Sequence, residues 1–198
     1  MNNIIVIQAR MGSTRFPGKV MLPLGGKPVL EWVIDGAKEI NKYIGGEDQL
    51  IRFDYVTIIV ATTTGAEDDV IAECAFKNGI ECRRFTDPEN VYDRYWKCAD
   101  EFDADYIVRL TADNPAIDIE AARSIAYQVI SNKWDYGNVD SVGRRSEIIS
   151  WYALNNLCVD REHVTKDAKF RTSVTIKIPD GITLDTPEDY EKLKAVYG

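Results

Sequence analysis

Asn3-Ile4-Ile5-Val6-Ile7-Gln8-Ala9-Arg10-Met11-Gly12-Ser13-Thr14-Arg15-Phe16-Pro17-Gly18-Lys19 joins a short apolar run to a loop of small and cationic residues. The run over 3–8 is continuous rather than alternating, which predicts a strand of a parallel sheet buried on both faces. After the loop, residues 28–40 carry apolar side chains at helical spacing (Val29, Leu30, Val33, Ile34, Ala37, Ile40), with Pro28 suited to a first turn. Residues 41–53 read as a connection. The alternation then repeats: strands are predicted over 55–61, 80–85 and 106–110, and helices over 67–77, 91–102 and 118–131. Strands alternating with helices of ten or so residues imply crossover units and a mostly parallel sheet with helices on both faces, a three-layer α/β/α sandwich. From Trp134 onward the pattern weakens to a helix over 150–157, a strand over 173–178 and a final helix opened by Pro187.

The 198 residues, 45% of them hydrophobic, suit one domain over 1–198. No run approaches the roughly 18 apolar residues of a membrane span, and no basic signal-like start precedes the first strand, so a cytoplasmic location is expected. Cys74, Cys82, Cys98 and Cys158 make no Cys-x-x-Cys pair and read as free thiols. A net charge of −8 argues against nucleic acid as partner. The charge is uneven, however: Arg10, Arg15, Lys19 and Lys27 all precede the first acidic residue, Glu31. A cationic start on an acidic chain suits a small anion such as a nucleoside triphosphate.

Ligands of open parallel sheets sit beyond the carboxyl ends of the strands, so the loops after Gln8, Ala61, Phe85 and Leu110 are expected to converge. In the first of these, small residues expose backbone N–H groups beside the three cations Arg10, Arg15 and Lys19, the donors a polyphosphate needs. Five residues separate Gly12 from Gly18, one more than a P-loop allows, and Val20 rather than a hydroxyl follows the lysine. The Rossmann glycine fingerprint is absent as well.

The opening over 8–30 resembles that of the sugar-activating nucleotidyltransferases. More narrowly it is similar to the cytidylyltransferases of acidic sugars (acylneuraminate, KDO) and their spore-coat polysaccharide relatives. Further matches follow in the family's order: Glu67-Asp68-Asp69, Asn90-Val91-Tyr92-Asp93-Arg94-Tyr95, Val108-Arg109-Leu110-Thr111-Ala112-Asp113-Asn114-Pro115, Arg161-Glu162-His163-Val164-Thr165 and Leu184-Asp185-Thr186-Pro187-Glu188-Asp189. The resemblance implies the nucleotide-diphospho-sugar transferase fold, GT-A-like and Rossmann-related. It implies transfer of CMP from CTP to an acidic sugar with release of pyrophosphate, for surface polysaccharide synthesis. It places Arg10, Arg15, Lys19 and Asp113 in catalysis, and Ala9, Arg10, Gly12, Ser13, Arg15, Lys19, Asp93, Arg94 and Thr111 on the nucleotide. Asp113 and Asp185 become ligands of Mg2+, a cation usually held by one or two carboxylates with substrate phosphates. A homodimer is the expected assembly.

Read without the resemblance, several of these residues have plainer roles. Asp185 stands before a helix and serves equally as an N-cap or Asx turn, and Asp93-Arg94 as solvated charges on a helix. His163, the only histidine, reads first as structural and second as a contributor on the sugar side. Trp32, Trp96, Trp134 and Trp151 read as core or subunit-interface residues. Arg144, Arg145, Arg161 and Arg171 are candidate partners for a substrate carboxylate. Two segments, between Asp140 and Trp151 and between Thr165 and Thr183, are shorter than in relatives, and Ala112 stands where many have glycine. Two rival readings are a glycosyltransferase using Asp103-Ala104-Asp105 as an Asp-x-Asp metal motif, and a non-catalytic nucleotide-binding relative.

Overall fold

In the computed structural model, which describes residues 1–44, 55–158, 164–165 and 168–198, the opening apolar run is β1 (Asn2–Gln8), the third strand of a seven-stranded sheet. The other strands are β4 (Tyr55–Thr63), β5 (Glu81–Phe85), β6 (Tyr106–Thr111), β7 (Tyr136–Asp140), β8 (Glu147–Ser150) and β9 (Ser173–Lys177). Their order is β5-β4-β1-β6-β8-β7-β9. β5, β4, β1 and β6 are mutually parallel; β8 runs against both β6 and β7; β9 is parallel to β7. Six strands therefore share one direction and β8 alone is reversed.

Chain direction and strand order together fix where a ligand can enter. From β1 the chain passes to β4 and β5 on one side, then returns to place β6 on the other side of β1. The loops after β1 and β6 part in opposite directions and leave a crevice at the carboxyl end of the sheet. There Gln8 pairs with Thr111 in register, and Ala112 N donates to Gln8 O at 3.0 Å.

The period-two exposure of each strand assigns its side chains to two apolar layers. Ile5 and Ile7 of β1, Ile58 and Val60 of β4, and Val108 and Leu110 of β6 pack beneath α1 (Val29–Ile44), α2 (Asp69–Lys77) and α4 (Ile119–Ser131). Ile4, Val6, Ile59, Ala61 and Ile107 face the other way, under α3 (Val91–Glu101) and α5 (Trp151–Leu157). This is the expected α/β/α sandwich. Helix starts are fixed by side-chain caps: Asn90 accepts from Asp93 N, Asp118 from Ala121 N and Ser150 from Ala153 N, each such cap stabilising by about 1 kcal/mol.

A third apolar cluster lies at the carboxyl end. A two-stranded ribbon, β2 (Pro23–Leu24) with β3 (Lys27–Pro28), turns through Gly25 and Gly26, whose φ values of 54° and 86° suit a tight hairpin and exclude most side chains. Leu24 and Val29 pack there with Leu184 and with Leu193 of α6 (Pro187–Tyr197), and Phe16, Trp32, Tyr190 and Tyr197 close the edge.

The structure departs from the sequence expectations in a few places. Pro28 ends β3 and precedes α1 instead of forming its first turn, because it pairs with Pro23 across the ribbon. A single 3-10 turn, Ala66–Asp68, precedes α2. α1 continues through Ile44 into the stretch read as a connection, the rest of which, 45–53, lies outside the described residues. β7 and β8 fill a stretch in which no strand was anticipated. The four cysteines are free; burial pushes the Cys98 thiol up to about 12. Among the described residues, no helix is long and apolar enough to cross a membrane.

Candidate active site

A cleft of about 440 Å³ opens at the crevice between β1 and β6. Gln8, Ala9, Arg10, Ser13, Thr14, Arg15, Lys19 and Val20 line it from the first loop, Glu89 and Val91 from the start of α3, and Arg109, Thr111, Ala112 and Asp113 from the end of β6. Of its charged groups, Arg10, Arg15, Lys19 and Arg109 are positive and only Glu89 and Asp113 negative. The chain is acidic as a whole, so this local excess of positive charge marks an anion site.

The first loop is held in a fixed curl. Met11 O accepts from Ser13 N (2.8 Å) and from Gly18 N (2.9 Å), and Ser13 Oγ accepts from Phe16 N (3.3 Å). Gly18 takes φ 74°, a left-handed value that a side chain would strain. The chain then enters a 3-10 turn, Lys19–Met21, that carries Lys19 inward until only 6% of it is exposed. Gly12 sits at an open bend where an added Cβ would meet nothing within 4 Å.

The loop after β4 braces this curl from behind. Asp68, 1% exposed, accepts from Met11 N through Oδ1 (2.7 Å) and from Thr63 N (3.2 Å) and the Thr63 hydroxyl through Oδ2. Its sequence neighbours carried little signal, yet this carboxylate ties two of the converging loops together. The loop after β5 is tied by cations: Arg10 Nη1 donates to Pro88 O (3.0 Å) and Glu89 Oε1 (2.7 Å).

Asp113 and Asp185 meet at one point. Lys19 Nζ lies 2.8 Å from Asp113 Oδ2 and 2.9 Å from Asp185 Oδ1, and an Arg15 guanidinium nitrogen lies 2.9 Å from the same Asp185 oxygen. Leu184 N donates to Asp113 O (2.9 Å) and fixes the two segments side by side. Asn114 staples them further, donating to Thr111 Oγ1 (2.7 Å) and accepting from Thr183 Oγ1 (3.0 Å). The helix cap that Asp185 was a candidate for is supplied instead by Thr186, in a capping box with Asp189. Asp185 is thereby left to face the cations. Two carboxylates converging on one ammonium offer hard oxygen donors around a position that already holds positive charge, so these residues fit a divalent cation completed by substrate phosphates.

Apart from Ala112, the remaining sequence candidates fall elsewhere. Arg94 is fully buried, donating to Asp87 O (3.3 Å) and to Pro88 O; burial, then the nearby Arg10, pushes its pKa down. Asp93 pairs with Lys97 along α3 at 2.6 Å. Neither lines the cleft; Arg94 supports the wall that carries Glu89 and Val91. Ala112 is 2% exposed and its side chain belongs to the core cluster under α1, so its methyl group is spent on packing. Asp105 accepts from Asn2 N at 2.8 Å at the amino end of β1, the far end of the sheet, where an Asp-x-Asp metal motif would serve no ligand in this cleft. Arg161 and His163 lie outside the described residues. Of the tryptophans, Trp32 packs in the carboxyl-end cluster, Trp134 against the core under α1, and Trp96 and Trp151 against each other at 5.8 Å.

Arg109 is the cleft cation that the sequence reading passed over, along with the lining residues Gln8, Thr14, Val20, Glu89 and Val91. Its signal was available: a charge in the middle of an otherwise apolar buried strand, Tyr106-Ile107-Val108-Arg109-Leu110. Its Nη1 donates to Glu147 Oε2 at 2.6 Å, directly across the β6–β8 pairing. Burial opposes the charge on Arg109, but Tyr95 and Glu147 outweigh it and raise its pKa, so the guanidinium stays protonated.

The chain is similar to known proteins over nearly its full length. A family described as Cytidylyltransferase matches residues 4–196. The spore coat polysaccharide biosynthesis protein SpsF of Bacillus subtilis is 30% identical, covering 100% of this chain and 87% of that protein. The 3-deoxy-manno-octulosonate cytidylyltransferase of Trichlorobacter lovleyi is 37% identical over 60% of this chain, which is 41% of its own length. Among solved structures, a cytidylyltransferase from Leptospira borgpetersenii superposes with a TM-score of 0.78 at 28% identity, covering 98% of this chain and 85% of that one. A CMP:2-keto-3-deoxy-manno-octonic acid synthetase complexed with CTP shares the fold, with a TM-score of 0.72 at 17% identity over 99% and 98% of the two chains. With the family matched across both the cation-rich loop and the paired aspartates, the chain belongs to the cytidylyltransferases.

Proposed function

We propose that the protein transfers CMP from CTP to an acidic sugar, releasing pyrophosphate, as a step in surface polysaccharide synthesis. The observation that carries this reading is the meeting of Arg15, Lys19, Asp113 and Asp185 within hydrogen-bond distance at the carboxyl end of the sheet. A hydroxyl of the acceptor attacks the α-phosphorus of CTP and gives up its proton to solvent; the bond from that phosphorus to the bridging oxygen breaks, and pyrophosphate departs with the electron pair. Arg10, Arg15 and Lys19 hold the triphosphate and offset the charge that develops on the leaving group, with backbone groups at Ala9, Gly12 and Ser13 assisting. Thr111 forms the rim between nucleotide and acceptor, and Arg94, beside Asp93 on α3, acts through the wall that it supports.

Asp113 and Asp185 would hold Mg2+, which when bound supplies charge neutralisation on the phosphate oxygens. Lys19, which pairs with both carboxylates, would then be available to phosphate. Positioning and charge carry this chemistry, so no side-chain base is required of the described residues.

The test is pyrophosphate release with Mg2+, each nucleoside triphosphate being offered with sialic-type acids, KDO and sugar phosphates. A CTP-dependent signal with an acid is expected. Turnover only with UTP or dTTP and a sugar phosphate would reject both the base and the acceptor class.

A further inference from the structure

Building on the acidic-sugar reading above, we propose that Arg109 is the acceptor's anchor: its guanidinium, steered by Glu147, receives the carboxylate of the sugar. The positive groups of the first loop are committed to phosphate, and an acceptor carrying its own carboxylate needs a further cation at a separate point. Arg109 is that cation. It lines the same cleft from β6, on the sheet face shared by Gln8 and Thr111, and sits two residues before Thr111, or roughly 6–7 Å further along the strand from the rim.

The pair is arranged so that the positive partner faces the ligand. Glu147 keeps a side chain only 4% exposed and accepts from three groups: Arg109 Nη1 at 2.6 Å, Tyr136 Oη at 3.1 Å and Thr165 Oγ1 at 3.4 Å. Three of its roughly four acceptor positions are used, and it is not among the residues that line the cleft. Arg109 is more open, with a side chain 16% exposed. A guanidinium has five N–H donors in a planar fork; one edge is held by Glu147, and the buried Nε has no partner. The Tyr95 ring, 5.5 Å from the guanidinium carbon, supports the cation, and Tyr95 itself donates to Gln8 Oε1 at 3.3 Å. A buried ion pair stabilises a fold no better than well-packed apolar residues do. Its presence on a cleft wall, one strand position above the apolar Ile107 on the same face, is accounted for by a ligand.

Arg161 lies outside the described residues, and the three other candidate arginines lack this placement. Arg171 lies on Asp135 (3.0 Å), at the end of β7 remote from the cleft. Arg144 is turned toward Asp118 at 4.0 Å and packs over Gly181. Arg145 is exposed in the turn between β7 and β8.

The experiment uses the full chain, with pyrophosphate release from CTP measured against KDO and N-acetylneuraminate and against the methyl ester of each. The R109Q/E147Q double variant removes both charges together, so that neither partner is left buried and unpaired; R109K keeps the charge but not the fork. Wild type is expected to prefer acid over ester by at least about 30-fold in kcat/KM, and the double variant by less than about 3-fold, with the loss carried by acceptor KM. The CTP KM of a variant with wild-type thermal unfolding stays within about 2-fold, a split that a merely structural role would not produce. R109K falls between. A folded double variant that still discriminates like wild type overturns the assignment while leaving the proposed reaction standing. Wild-type CTP binding without turnover of either acid overturns the reaction itself and the assignment with it.

Discussion

Replacing Asp68 by asparagine exchanges one carboxylate oxygen for a group that can only donate. The native carboxylate accepts from Met11 N on one oxygen and from Thr63 N and its hydroxyl on the other, in a site 1% exposed. The amide can satisfy one side. If its oxygen faces Met11, its NH2 opposes the Thr63 N–H and orphans it; if it faces Thr63, the first loop loses its tether. A buried donor left unsatisfied costs about 1–3 kcal/mol, and the charge-assisted bonds lost alongside add about 1 kcal/mol. The expected destabilisation is therefore about 2–4 kcal/mol, which for a chain of this size lowers Tm by about 4–16 °C. Because the tether ends one residue from Arg10, the affinity for CTP should fall by about 10-fold. Thermal unfolding and calorimetric titration with CTP measure both. A Tm within about 1 °C of wild type together with unchanged CTP affinity would refute the reasoning.

Asp113→Asn should keep the fold, since its carboxylate is a quarter exposed, yet lower kcat by at least about 100-fold and flatten the dependence on divalent cation; near-normal turnover in a folded variant removes the metal role. Gly137→Ala would set a methyl group 2.5 Å from Val129 Cγ2 and 2.8 Å from Ile125 Cγ1, an overpacking that costs about 1–3 kcal/mol and is read as a lower midpoint in urea. The side-chain hydrogen bonds of Arg171 hold the Asp135 carboxyl below its usual range despite its burial. Its contribution to stability is accordingly present above the ordinary aspartate pKa of about 4 and is lost as pH falls through the depressed folded value. Asp135→Asn should be less stable than wild type at pH 7, with the deficit shrinking below about pH 4; a pH-independent deficit in denaturant titrations would contradict the pairing.

Through Ser131 most of the fold was legible because most strands there are apolar runs and each helix repeats its apolar positions on one face; β5, Glu81-Cys82-Arg83-Arg84-Phe85, is a polar exception, and the short strands of the β2–β3 ribbon were read as loop. Beyond that point the same rules still gave α5, β9 and the start of α6, but neither β7 nor β8. β7, Tyr136-Gly137-Asn138-Val139-Asp140, contains a glycine that looks like a breaker, but Val129 and Ile125 of α4 occupy the space its side chain would take. β8 opens with a glutamate, which belongs inside a sheet only because Arg109 waits across the pairing. Such pairs join residues 38 positions apart, and a single sequence does not announce them. The site divides in the same way. The cationic loop was visible because its residues are contiguous, and Asp113 because it follows a strand end. The bracing by Asp68 depends on the packing of one loop behind another, and Asp185 carries two readings until Thr186 is seen to take the cap.

The contact between Lys19 and Asp185 spans 166 residues of chain, which gives the site a place in time. A ribosome adding about 5–20 residues per second takes about 8–30 s to travel from one to the other. Throughout that interval the emerging chain can form β1, its curled loop and most of the sheet, but it lacks the second carboxylate. Nucleotide-binding competence therefore arrives late in synthesis, after α6 has closed on the β2–β3 ribbon, and a chain released before Asp185 carries the cations without the aspartate that organises them.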